Sequence, residues 1–185
     1  MIVNYKDIDL VNYLFSKLKV SITDSRLYIQ SMQQKLNYKE GIWFAIPLEN
    51  CGFAIGVVAR MSKKGKVILT YLFGPQRDNI PSLKEVESLR SQDAMRVIMI
   101  GDLFLLNGNW TIIGSSEVWR RDLWPFPTFI RREELRQRAW EVKYSDDDPL
   151  KIISELPVSL GNKVLERDAV WGAKAVELYL TETLC

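Results

Sequence analysis

The chain has 185 residues, 47% of them hydrophobic and 26% charged, and its 25 basic and 23 acidic side chains leave a formal net charge of +2. That length sustains a core burying about 70% of the surface the unfolded form would expose, and the composition excludes a generally disordered chain. The complete absence of histidine removes Ser-His-Asp, Cys-His and histidine-metal chemistry together, so the composition argues against an enzyme.

Taken in chain order, Ile8, Val11, Phe15 and Leu18 recur at helical spacing behind Asp7, which predicts an amphipathic helix over 7–19. A second helical stretch is expected over 24–36. From Tyr38 the pattern changes to strands over 42–48, 53–60 and 66–73, with turns through Glu49-Asn50-Cys51-Gly52 and Lys63-Lys64-Gly65. Ser82 and Glu85 have the spacing of a capping box and predict a short helix ending near Arg90. Residues 96–106 and 110–114 read as two strands of one hairpin, with Asn107-Gly108 as its tight turn. Trp140, Val142 and Tyr144 alternate with charged residues as a half-buried strand does, and Ala169, Ala173, Val176 and Leu180 predict a helix over 168–183. No βαβ alternation occurs. The order therefore predicts an α+β fold, a curved antiparallel sheet or small open barrel with N-terminal and C-terminal helices packed on it, in a single domain over 1–185.

The longest apolar run, 97–106, is interrupted by Gly101 and Asp102 and is far shorter than the roughly 20 residues that span a bilayer. With no recognisable export signal, a cytoplasmic protein without a membrane association is expected. Cys51 and Cys185 have neither metal-site spacing nor the density of a disulfide scaffold, and they read as reduced thiols. No phosphate loop or other cofactor motif is present, so no cofactor is expected. Asp146-Asp147-Asp148 is the densest carboxylate cluster, but it lacks the alternating ligand spacing of a calcium loop and reads as a solvated turn before Pro149.

Residues 119–127, WRRDLWPFP, interleave aromatics, arginines and two prolines, and cannot form ordinary helix or central strand. Tryptophan and arginine dominate binding hot spots, and a proline-stiffened segment loses little entropy on docking. Trp119, Arg120, Arg121, Trp124, Arg131 and Arg132 are therefore the candidate partner-binding residues, and no catalytic or metal-binding residue is assigned. The alternative use of Trp119, Trp124 and Phe126 is to plug the end of the core. A basic segment with aromatics also fits nucleic acid, but Glu133, Glu134 and Glu141 leave residues 115–143 only two charges positive. That is little for phosphate binding, whose affinity comes from charge neutralisation.

Four segments together resemble the immunity protein 26 family of bacterial polymorphic-toxin systems: Glu40-Gly41-Ile42-Trp43-Phe44-Ala45-Ile46-Pro47-Leu48 followed by Gly52-Phe53-Ala54-Ile55-Gly56-Val57-Val58; Asp102-Leu103 to Trp110 with Gly114; Pro127-x-Phe129-x-Arg131; and Trp171-Gly172-Ala173 with Glu177. The resemblance covers about residues 38–183 and leaves 1–36 as an N-terminal helical extension. It implies a protein that binds and neutralises a cognate toxin domain by occlusion, without catalysis. A small-barrel nucleic-acid-binding protein is the alternative reading.

Overall fold

The computed structural model describes residues 38–62, 65–159 and 165–185. The helices predicted over 7–19 and 24–36 lie outside the described residues. Strands β1 (Ile42–Leu48), β2 (Gly52–Met61), β3 (Val67–Arg77), β4 (Arg96–Gly101), β5 (Thr111–Ser115) and β9 (Val170–Trp171) form one sheet in the order β5-β1-β2-β3-β4-β9. Strands β6 (Phe129–Glu133), β7 (Arg138–Ser145) and β8 (Asp148–Val158) form a second, three-stranded antiparallel sheet. Neither closes into a barrel. All pairings between these strands are antiparallel except β4 with β9, and the fold is α+β as its sequence predicts.

The apolar residues of β1–β3 run densely, with Arg60 and Thr70 the polar residues buried among them, because both faces of their sheet are covered. One face carries Phe44, Ile46, Val58, Ile68, Leu72 and Ile98, and against it packs helix α3 (Ala173–Leu184) through Ala173, Val176 and Leu180. The opposite face carries Trp43, Ile55, Val57, Leu69, Tyr71 and Phe73, which meet Trp124 and Phe129. Strands buried on both sides lose the period-2 alternation of a half-wet sheet. Gly56 faces Phe44 across β1 and β2, and a β-carbon there would lie 2.4 Å from the Phe44 ring. That ring in turn stacks on Trp110 at 5.3 Å, and the Trp110 indole N–H donates to buried Glu177 at 3.1 Å.

The predicted hairpin over 96–114 does not form. Its first strand stops at Gly101 because the next residue, Asp102, is 5% exposed and accepts 2.6 Å hydrogen bonds from the Tyr38 hydroxyl and the Lys66 backbone N–H. Pinned there, the chain turns into α2 (Leu103–Leu106), after α1 (Leu83–Val86), and the Asn107-Gly108 pair closes that helical turn with Gly108 at φ 74°. Thus β5 pairs with β1 and not with β4. The capping box forms at Ser82 and Glu85, but its helix ends at Val86, four residues before Arg90. Strands β6 and β8 have no counterpart among the sequence expectations, and the helix expected over 168–183 begins only at Ala173, with β9 in place of its first turn and Ala169 outside it.

The expectation of two reduced thiols is also corrected. Cys51 in the β1–β2 turn and Cys185 at the end of α3 are joined as a disulfide, with Cα atoms 6.0 Å apart across 134 residues of sequence. Neither cysteine has a near neighbour in sequence to announce the pair, which exists only because α3 lies along the sheet.

Candidate functional site

The segment between β5 and β6 packs on the Trp43 face of the six-stranded sheet, and two tryptophans fix its path. Gly41, at φ 81°, leaves room for the Trp119 ring, whose nearest atom would stand 3.0 Å from a β-carbon there. Trp119 stacks on Trp124 at 5.2 Å, and Trp124, 6% exposed, meets Trp43 and Tyr71 edge-on at 5.8 and 5.0 Å. The Tyr71 hydroxyl donates to the Pro125 carbonyl, and burial pushes that hydroxyl's pKa up to about 12. Trp124 is thus a wall of the core, and the 3-10 turn over Arg121–Leu123 projects outward from it.

Arg120 leaves this turn with its side chain 61% exposed and pairs with Asp122 at 2.5 Å. That hydrogen bond raises the arginine's pKa and lowers the carboxyl's. Arg121 points the other way. Its Nε and Nη2 donate to the two oxygens of Glu40 at 2.8 Å each, and its Nη1 donates to Asp147 at 2.8 Å. The bond to Glu40 is the largest cause raising the pKa of Arg121. Beneath it Arg60, 2% exposed, donates twice to Asp146, at 2.9 and 2.7 Å, and once to the Arg121 carbonyl at 3.2 Å. Two guanidiniums and three carboxylates therefore tie the 121–123 turn to β2 and to the β7–β8 turn.

Arg131 heads a second cluster on the three-stranded sheet. It donates to Asp168 at 2.8 Å and to Glu155 at 3.1 Å, and the first of these raises its pKa most. Asp168 also accepts from Tyr144 at 2.7 Å, and the Tyr144 hydroxyl is pushed up to about 12 by burial first and by that bond second. Asp168 is held in place because its segment pairs with β6, through Ile130 N–H to the Glu166 carbonyl and Asp168 N–H to the Ile130 carbonyl, both 2.8 Å. Arg132, the next residue on β6, is exposed beside Ile130 and Arg167.

The six candidate residues therefore fall into two groups: Trp119, Arg120, Arg121 and Trp124 on the connection, and Arg131 and Arg132 on β6. Among the described residues no hydrogen bond or ion pair joins one group directly to the other. Sequence reading missed their carboxylate partners Glu40, Asp147, Glu155 and Asp168, which lie 24 to 81 residues away. No local spacing rule reaches so far. Asp146 and Asp147 form the β7–β8 turn, but they face Arg60 and Arg121, and Asp148, the first residue of β8, accepts the Leu150 backbone N–H at 2.9 Å. Among the described residues no group of three or more carboxylates or thiols is placed to hold a metal ion, and no helix is long and apolar enough to cross a membrane.

The family model described as Immunity protein 26 matches residues 39–141, more than half of the chain. The chain belongs to that family. No curated protein and no solved structure matches it. The matched span holds all six candidate residues together with Arg60 and Glu40, whereas Asp146, Asp147, Glu155 and Asp168 follow it.

Proposed function

We propose that this member of the immunity protein 26 family binds the toxic domain of a cognate polymorphic toxin in the cytoplasm and blocks it by occlusion, with no reaction of its own. Family membership carries the reading. The arrangement of arginines supports it: Arg120 and Arg132 stand exposed, while Arg121 and Arg131 are held in fixed orientations by carboxylates. Guanidiniums oriented before docking lose little rotamer entropy when a partner arrives. In this reading the toxin domain meets Arg120, Arg121, Arg131 and Arg132, with the Trp119–Trp124 stack as the rigid base behind the first two. Residues 38–183 form the single functional core, and residues 1–36 extend it.

The same pairing argues against nucleic acid as partner, because four carboxylates already neutralise Arg121 and Arg131. The test is co-expression with a candidate toxin domain from a neighbouring reading frame, followed by binding kinetics on the purified complex. Arg120→Ala with Arg132→Ala is expected to leave folding intact and to raise the dissociation rate about tenfold or more. Unchanged kinetics would remove these arginines from the interface. Micromolar, salt-sensitive binding of a single-stranded oligonucleotide, lost in the same double variant, would overturn the immunity reading.

A further inference from the structure

The two cysteines stand where a covalent link decides how one element ends. Helix α3 is seated on the sheet by Ala173, Val176, Glu177 and Leu180, all buried, at the i, i+3, i+4, i+7 positions of one face. Beyond Leu180 the attachments thin out. Among the described residues, the Glu49 N–H donates to the Thr181 hydroxyl at 3.1 Å, Leu184 packs over Gly74 at the edge of the core, and the Cys51–Cys185 bond adds a covalent hold on the last turn. A helix end carries unsatisfied carbonyls and is the first part to fray. Cys185 is exposed and Cys51 half-buried. A small thiol or disulfide can therefore reach the pair from solvent.

We propose that Cys51 and Cys185 are a reversible redox modification site, a latch that fixes the last turn of α3 to the β1–β2 turn when oxidised and frees it when reduced. The reagent is a low-molecular-weight disulfide of the glutathione class. The Cys185 thiolate attacks one sulfur of that disulfide, forming a mixed disulfide and expelling one thiolate. The Cys51 thiolate then attacks the Cys185 sulfur and expels the second, so that two protein thiols and one small disulfide become one protein disulfide and two small thiols. The 6.0 Å between the Cα atoms lies within the range for an intramolecular disulfide, so the second attack closes the bond with little backbone movement. In a reducing compartment the latch rests open, and a shift toward oxidation closes it without altering the buried face of α3.

The test uses the full chain equilibrated in glutathione buffers of graded ratio, alkylated and weighed intact, with hydrogen exchange measured on the fully oxidised and fully reduced forms. The mass series should pass from two alkylated cysteines to none in one transition, without a persistent glutathione adduct. Reduction should speed exchange about tenfold at residues 181–185 and in the 49–52 turn, leaving 173–180 protected. Cys51→Ser should exchange like the reduced wild type under all conditions. Both cysteines alkylated at the most oxidising ratio, a stable glutathione adduct on either one, or identical exchange in the two forms would each overturn the proposal.

Discussion

The two sheets are held together by different physics. In the six-stranded sheet most residues of β1, β2 and β3 are buried, and the contacts are mainly aromatic and aliphatic on both faces. In the three-stranded sheet β6 and β7 bury Phe129, Ile130, Ala139 and Val142, but β8 is mostly exposed, with Leu150, Ile152, Ile153 and Leu156 between 40% and 61% accessible, and arginine–carboxylate pairs add links across strands and to flanking segments. Burial is non-directional and strong in sum, so the first sheet sets the fold. Partly exposed ion pairs add little stability but fix where charges point. The candidate surface lies along the second kind of region and leans on the first through Trp124.

Breaking the first region should have the largest effect. Gly56→Val inserts a branched side chain where the Phe44 ring lies 2.4 Å from the added β-carbon, and the displaced ring pushes on Trp110. We expect a loss of about 3 kcal/mol, read as a lowered denaturant midpoint. An unchanged midpoint would mean that the close packing of β1 on β2 is not what holds this sheet.

A smaller loss should come from the seam between the regions. Asp146→Asn leaves the buried Arg60 guanidinium without its anion and should cost about 2 kcal/mol, whereas Asp147→Asn, at a carboxylate 84% exposed, should cost under about 0.5 kcal/mol. Equal effects from the two variants would show that Arg60 does not depend on its partner.

The smallest effect compares one tyrosine from each region. Tyr71 and Tyr144 both have hydroxyls pushed up to about 12 from the ordinary phenol value of 10.0. In the unfolded chain both ionise near pH 10, so between about pH 10 and 12 the unfolded state binds fewer protons and folding stability falls as pH rises. Below that window stability is unaffected by either group. Replacing Tyr144 with Phe should lessen the alkaline slope by about one proton, at a modest constant cost for the lost bond to Asp168. An unaltered slope would mean that Tyr144 titrates as it does in the unfolded chain.

The sequence by itself determined the elements whose cause is local. The density of apolar residues over 42–48, 53–60 and 66–73, the turn glycines between them, the Ser82–Glu85 capping box and the helical spacing of Ala173, Val176 and Leu180 all act within one turn or one strand, and each is legible at that range, although β3 continues to Arg77. The family resemblance, carried by the same glycines and aromatics, was legible for the same reason. The tertiary structure alone decided what is joined across long separations: β5 to β1, Asp102 to Tyr38 and Lys66, Cys51 to Cys185, and each arginine of the candidate surface to its carboxylate. A residue's own period states which face it occupies. Which distant residue stands opposite depends on the path of the whole chain, and the partners of Arg121 and Arg131 follow from that path.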